Sequence, residues 1–396
     1  MGGLPVIVAG GGIGGLTAAL ALARRGLPVR LYERAAGFGE VGAGLQLGPN
    51  AMRVLAALGL ADAVTDAGFR PRALEMRLGG SGRTVFRLSV NRGEGPPYVQ
   101  IHRADLIRIL LDAARAAGVA LVLGRAVADL AQDRRAVLVR LEDGEEVAGR
   151  ALIGADGIGS TVQRRLFGPA PARFTGQVAW RATIPAEALA QGLVAPHATV
   201  WVGAGRHLVS YFLRGGRLVN LVAVEERADW TRESWTDRGD PAALRAAFAG
   251  WHPRVTGLIG AVRDCFLWAL HDRPPLPRWS VGRVTLLGDA CHPMLPFMAQ
   301  GAAMAIEDAH VLAACLAAGP EAPALARYEA LRRARTARVQ AAARRNAWRF
   351  HLKGRLARLA VYGPMAAASL AAPGLLRGAL AWLYDHDATR AGGPGG

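Results

Sequence analysis

The chain has 396 residues, 52% of them hydrophobic and 20% charged, which excludes a disordered protein and leaves room for about two domains. Its net charge is +17, but the cations are spread along the whole chain and Lys353 is the only lysine. No compact basic motif accompanies that charge, so no nucleic-acid partner is expected.

Leu4 to Ala9 reads as a short buried strand, apolar and rich in Val and Ile. It runs into a G-x-G-x-x-G whose spaced positions are Gly10, Gly12 and Gly15, with Gly14 beside them as a further cofactor-binding candidate. Gly10 permits a tight turn, Gly12 lets backbone approach a pyrophosphate, and Gly15 lets helix and strand pack closely. Ile13 to Arg25 reads as the following helix, stopped by Gly26. Its N-terminus offers unpaired N–H groups to phosphate. Val29 to Glu33 is a second strand, and Glu33 lies 18 residues after Gly15. An acid there accepts hydrogen bonds from an adenosine ribose, and Arg34 follows it at the same site. Such an acid disfavours a 2′-phosphate, so the site suits FAD or NAD rather than NADP.

Residues 151–166, "ALIGADGIGSTVQRRL", form a strand running into Asp156-Gly157, with Ser160 and Arg164 on a following helix. From Arg173 to about Arg278 apolar and polar residues alternate, and Gly215-Gly216 marks a hairpin turn. That pattern predicts an antiparallel sheet roofing the nucleotide domain. His207 and Tyr211 lie four apart, so on a strand they share a face. Arg181 is a candidate for attracting an anion, or else an ordinary surface ion pair. His102 and His292 read as structural.

Val284 to Leu287 is another buried strand ending in Gly288-Asp289, the position where ligands bind in open α/β sheets. Gln300-Gly301-Ala302-Ala303-Met304 then opens a helix without bulk, where a flat ring can lie against backbone N–H groups. Arg327 to Arg349 reads as a solvated helix closing the fold. Leu359 to Leu376 is an uncharged run of 18, broken by Gly363, Pro364, Pro373 and Gly374. It is read as a packed helical hairpin, not an integral membrane segment. The last residues, "AGGPGG", are expected to fray. Cys265, Cys291 and Cys315 have neither metal spacing nor a disulfide framework, and the N-terminus lacks a signal peptide. Cytoplasmic localisation and no metal are expected.

The three glycine-acid segments, in this order and about 140 and 130 residues apart, resemble the class A flavoprotein aromatic hydroxylases. The resemblance runs from Leu4 to about Arg338. Residues 42–60, 101–111 and 206–226 look most like the hydroxylases of salicylate, 3-hydroxybenzoate and 6-hydroxynicotinate. It implies an α/β fold with a Rossmann-like FAD domain of the glutathione-reductase type, assembled from residues 1–70, 100–172 and 279–330. An antiparallel-sheet substrate domain (71–99 and 173–278) and C-terminal helices (331–396) complete it. It implies FAD, reduced by NADH or NADPH that visits without a Rossmann domain of its own. Oxygen then reaches a small aromatic acid through a hydroperoxide at the flavin C4a, in a monomer or homodimer.

Residue by residue, Arg103 would reach the FAD and Val127 would meet the adenine through its backbone. Asp156 would lie where flavin and nicotinamide meet, and Asp289 would bind the ribityl or pyrophosphate part. Gly301, Ala302 and Ala303 would lie against the isoalloxazine. His207 would act as the base that makes a phenolate, Tyr211 as its partner or a carboxylate donor, and Gln300 would orient substrate. A hydroxylase of a quinone precursor and a flavin dehydrogenase stay open as alternatives. Two residues depart from the family pattern: Phe212 stands where close relatives carry Pro, and Ala299 replaces a Gly before Gln300, which stiffens the loop.

Overall fold

Val6–Ala9 is at most 2% exposed and pairs in parallel with Val29–Glu33 on one side and Ala151–Gly154 on the other. These strands belong to a sheet of six, ordered Ser280–Val281, Val284–Leu286, Ala151–Gly154, Val6–Ala9, Val29–Glu33, Ala120–Leu123. Only the edge strand Ser280–Val281 runs antiparallel. The parallel order brings Gly10, Glu33, Gly154 and Leu286 to one edge of the sheet, so all three glycine-acid turns open on the same side. The first helix, Ile13–Ala23, ends earlier than expected: Arg24 to Gly26 form a turn, with Gly26 at φ 77°. The structure, a computed structural model, describes residues 3–39, 44–91, 93, 95–227 and 238–391. Residues 42–43 of the 42–60 stretch and 392–396 of the Gly-rich end lie outside the described residues.

The second sheet has eight strands, drawn from 73–89 and 173–272. At its centre Arg173–Pro185, Leu218–Glu226, Arg206–Leu213 and His197–Gly203 are antiparallel neighbours. The antiparallel sheet expected over 173–278 is present, and it is extended through one parallel seam. His197–Gly203 pairs in parallel with Ala73–Leu78, because the two strands come from separate chain segments and no hairpin fixes their direction. Outward-facing Trp180, Leu208 and Leu221 pack with Phe248, Val255 and Leu258 of two short helices. The inward face meets Leu295, Phe297 and Phe350.

Among the described residues one helix, Gly301–Ala318, is long and apolar enough to cross a bilayer, and 72% of it is buried in the fold. It packs against the first helix and the long helix Glu321–Phe350. The long helix is not simply solvated. Arg332, 1% exposed, reaches Glu307 at 2.8 Å and Asp308 at 2.7 Å, and Arg335 reaches Glu307 at 2.7 Å. Burial alone would push both carboxyls up; Arg332, with Arg335 on Glu307 and His292 on Asp308, holds them below the usual range. His292, 1% exposed, thus helps to hold Asp308.

The C-terminal run also differs from the expected packed hairpin. Arg355–Ala371 stays helical through Pro364, which lies on the exposed side. The break falls at Ala372 (φ −147°, ψ 65°), because a residue before proline is pushed out of the helical region. Leu356, Leu359 and Leu370 remain 82%, 69% and 88% exposed, so only one side of this helix packs, against Thr84–Ser89 and the following helix Pro373–Tyr384.

Candidate active site

The glycines of the first turn divide by what surrounds them. A Cβ on Gly10, at φ 105°, would lie 2.4 Å from the Ala155 carbonyl oxygen, and one on Gly15 would lie 1.9 Å from that of Gly10. Around Gly12 nothing lies within 4 Å. Two glycines thus close the turn while Gly12 leaves open backbone before the first helix, which has no side-chain cap. That leaves room for a phosphate group against open backbone N–H groups. Gly14 does something else: its Cβ would meet Leu287 at 2.5 Å, so it serves helix packing.

Glu33 accepts hydrogen bonds from the N–H of Gly11 at 2.6 Å and of Ala35 at 2.8 Å, which fixes the acid beside that turn. Arg34 next to it is exposed. The Arg125 N–H donates to the Glu33 carbonyl, which brings the start of Val127–Gln132 to the same end of the cleft. Replacing Glu33 with alanine is expected to weaken cofactor binding about 10–100-fold, the worth of one or two charge-assisted hydrogen bonds. The flavin-to-protein absorbance ratio after purification measures this, and full occupancy would refute the ribose role.

Asp156 is spent locally. Its carboxylate accepts from the Ser160 hydroxyl and from the N–H groups of Thr161 (2.7 Å) and Val162 (3.2 Å), capping the helix Thr161–Phe167. Asp289 stands on a tight turn after Gly288 (φ 63°), open to water but walled by protein. That enclosure raises its carboxyl above the usual range, against the pull of His292 and Arg103. Arg103, exposed at the start of Arg103–Ala116, therefore shares the cleft with Asp289.

Gly301, Ala302 and Ala303 open the core helix. Just before them Ala299 sits at φ 51°, ψ 38°, a left-handed conformation that costs an L side chain roughly 1–2 kcal/mol. Gln300 is 1% exposed and accepts from the Asn50 amide at 3.1 Å, which also donates to Glu307 at 2.7 Å. Only its Nε2 has no partner among the described residues.

The inward face of the second sheet carries His207, Val209 and Tyr211 in line, beside Val200, Val222 and Asn220 on the flanking strands. His207 and Tyr211 are buried, while Val209, Val200, Val222 and Arg181 are only half-buried although they face inward. Side chains that stay part-exposed on an inner face border a space that a ligand can enter. Four residues of strand span about 13 Å. Two hydrogen bonds of about 2.8 Å leave roughly 7–8 Å, the length of a benzene ring with a substituent at each end.

At one end of that line, the His207 ring lies among Phe297 and Phe350 at 5.0 and 5.2 Å, and its Nδ1 is 2.7 Å from His351 Nε2. Burial, with His351 beside it, drops its pKa well below 6.5, so it is neutral at pH 7. At the other end Tyr211 packs on Gly44, where a Cβ would come within 2.6 Å of its ring. Burial pushes the Tyr211 phenol up, opposed by Arg181. Arg181 is no surface ion pair. Its guanidinium lies 4.5 Å over the Trp268 ring and its Nε has no hydrogen-bond partner among the described residues. Burial lowers its pKa to about 10; Tyr211 opposes and Arg103 adds to that shift. Phe212 turns to the opposite face, against Phe69 at 5.2 Å, so that departure does not touch the cavity.

A separate cavity of about 340 Å³ lies beside the Asp156 turn, bordered by Ile158, Arg164, His271 and Arg273. Arg273 is 5% exposed; Nη2 donates to the Ile158 carbonyl at 2.9 Å, while Nε and Nη1 have no partner among the described residues. Sequence reasoning missed this arginine, and also His351, which stands 144 positions from His207.

Residues 3–344 match the family described as FAD binding domain. Over 353 residues the chain is 41% identical to 3-amino-4-hydroxybenzoate 2-monooxygenase of Streptomyces cremeus, covering 88% of each. The chain belongs to the class A FAD-dependent aromatic hydroxylases. This hydroxylase is also 38% identical over 352 residues to 6-hydroxynicotinate 3-monooxygenase of Bordetella bronchiseptica, covering 87% of this chain and 91% of that one. A salicylate hydroxylase in complex with substrate superposes with a TM-score of 0.83 at 26% identity, covering 98% of this chain and 96% of that one. Its cofactor is FAD, and the open backbone at Gly12 beside the fixed Glu33 fits that group.

Proposed function

We propose that this hydroxylase inserts one atom of O₂ into the ring of a small aromatic acid whose hydroxyl sits on a benzene or N-heteroaromatic ring. The observation that carries the reading is Arg181: a guanidinium facing the cavity, beside Tyr211, with no carboxylate of the described residues paired to it. A half-buried guanidinium whose Nε is shut off from water without a counter-charge is costly unless a ligand brings one. Hydroxybenzoate- and hydroxynicotinate-type acids, the compounds in the names of its relatives, bring a carboxylate.

In this reading Gly10, Gly12, Gly15, Glu33, Arg103 and Asp289 hold the FAD, with Val127 at its adenine end. Bound FAD, reduced by NADH or NADPH, supplies the activation of O₂. Arg181 and Tyr211 hold the carboxylate at one end of the valine floor. At the other end neutral His207 accepts the hydroxyl proton, because a phenolate is a far better nucleophile than a phenol; such help is typically worth roughly 10²–10⁴ in rate. Val200, Val209 and Val222 keep the ring dry. The cavity at Arg164 and Arg273 suits the phosphates of the visiting nicotinamide nucleotide. We take the flavin domain as 1–70, 100–172 and 279–330, the substrate domain as 71–99 and 173–278, and the enzyme as a cytoplasmic monomer or homodimer.

Stopped-flow flavin reduction by NADH against salicylate, 3-hydroxybenzoate and 6-hydroxynicotinate, with product analysis, tests the substrate class. Arg181→Gln is expected to raise KM for the active acid about 10–100-fold, as loss of a charge-assisted pair does, and to leave the binding of its methyl ester unchanged. An unchanged KM for the acid would remove Arg181 from substrate recognition.

A further inference from the structure

His207 is the first of several polar side chains in contact with one another. His207 Nδ1 lies 2.7 Å from His351 Nε2, and the two buried rings are 5.0 Å apart. His351 Nδ1 lies 3.3 Å from Glu226 Oε1 and also 3.3 Å from Gln177 Nε2. The other Glu226 oxygen is 2.7 Å from Lys353 Nζ. The His351 side chain is 2% exposed, Glu226 38% and Lys353 71%, so the contacts run without a gap from the cavity wall to the surface. Among the described residues His207 Nε2 has no hydrogen-bond partner.

We propose that His351 is a positioning residue that sets the tautomer of His207 and passes the substrate proton to Glu226 and water. This rests on the reading of His207 as the base.

The two contacts of His351 Nδ1 make the case. That nitrogen donates to a carboxylate only when it carries the proton, and accepts from the Gln177 amide only when it does not. Before transfer, His351 Nδ1–H donates to Glu226, His351 Nε2 accepts from His207 Nδ1–H, and His207 Nε2 holds a free lone pair. When substrate ionises, its O–H bond breaks and an Nε2–H bond forms on His207. The Nδ1–H of His207 breaks as Nε2–H forms on His351; the Nδ1–H of His351 breaks as Oε1–H forms on Glu226. Both rings end neutral, and Nδ1 of His351 now accepts from Gln177. The Glu226 and Gln177 contacts are the starting and finishing partners of one shift. Return of the proton after ring oxidation runs the same bonds backwards and resets both tautomers.

A relay of this kind suits the site physically. Burial disfavours an imidazolium at either ring, so a lone His207 would hold a proton poorly, whereas a neutral-to-neutral shift avoids that penalty. Among the described residues the charges acting on His351 are Glu226 and Lys353, and the titratable group acting on His207 is His351; Phe297, Phe350 and Gln177 do not titrate. Burial tends to raise the Glu226 carboxyl, but Lys353 and His351 hold it below the usual range, so it releases a proton to water readily.

The test uses the holoenzyme without NADH, and as probe the tightest binder among salicylate, 3-hydroxybenzoate and 6-hydroxynicotinate. Ultraviolet difference spectra follow ionisation of the bound probe after a pH jump. His351→Gln is expected to keep its FAD and its affinity for the probe, to slow ionisation at least ten-fold, and to regain speed when imidazole is added. Glu226→Gln, at the surface and safe for folding, is expected to slow it several-fold and to flatten its pH dependence. Ionisation at the wild-type rate and pH profile in both variants overturns the relay. If His207→Gln is slow while those two are not, only the relay falls; if His207→Gln is itself as fast as wild type, the base assignment falls and the relay with it.

Discussion

Arg332→Ala is expected to destabilise the folded enzyme by about 3–5 kcal/mol, the cost of removing one member of a buried ion cluster. Arg332 is 1% exposed and sits between Glu307 and Asp308, neither of which reaches water. Without it, among the described residues, Glu307 keeps Arg335 and Asp308 keeps His292 as charged partners. The core helix that carries this pair also carries Gly301 to Ala303, and Asn50 ties Glu307 to Gln300. Flavin occupancy should therefore fall together with the urea midpoint. Arg332→Lys keeps the charge but loses the fork, and should cost less.

The pH dependence supplies an independent check. The cluster holds both carboxyls below their ordinary values near 4. Its contribution is therefore fully present above pH of about 4 and is lost as pH falls through the lower folded values. The variant, whose carboxyls rise toward ordinary values, should lose less than wild type over that acid range. Equal destabilisation from pH 7 to pH 3 would show that Arg332 acts by packing and not by charge.

The parts of this site legible in the sequence are those whose chemistry is local. Gly10 to Gly15 with Glu33, Ser160 after Asp156, and Gly288 before Asp289 each lie on one strand and its next turn, so spacing along the chain reports spacing in space. His207 and Tyr211 were legible as a same-face pair because strand period is short, yet their 13 Å separation, roughly, reads as two ends of a cavity and not as a contact. What stayed hidden depends on distant segments. Nothing near His351 signals that the end of a basic helix turns inward to meet His207. The run from Arg327 to Arg349 looks solvated because a helix shows its period but not its partner; only Glu307 and Asp308, charged residues in an otherwise apolar helix, hinted that two arginines point in. Pro364 misled in the opposite way, since a proline on an exposed helix side interrupts less than the non-helical residue before Pro373.

His207→Ala is expected to separate flavin reduction from hydroxylation. The ring touches Phe297, Phe350 and His351 and makes no contact with the Gly10 turn or with Glu33, so FAD binding and reduction by NADH should survive. Without a base the bound substrate remains a phenol, and the hydroxylation step should slow roughly 10²–10⁴-fold. Reducing equivalents then leave as hydrogen peroxide, so product per NADH falls while NADH consumption continues. The wild-type pH profile has a fixed direction. Because burial and His351 lower the His207 pKa, the base stays unprotonated through pH 7, and kcat/KM should begin to fall only at a pH below 6.5. The same lowering means that an unfolded chain takes up that proton first, so the contribution of this histidine to stability also declines as pH drops below about 6.5. An acid limb above pH 7, or full product yield per NADH in the alanine variant, would take His207 out of the reaction and leave Tyr211 and Arg181 as the groups around which to rebuild it.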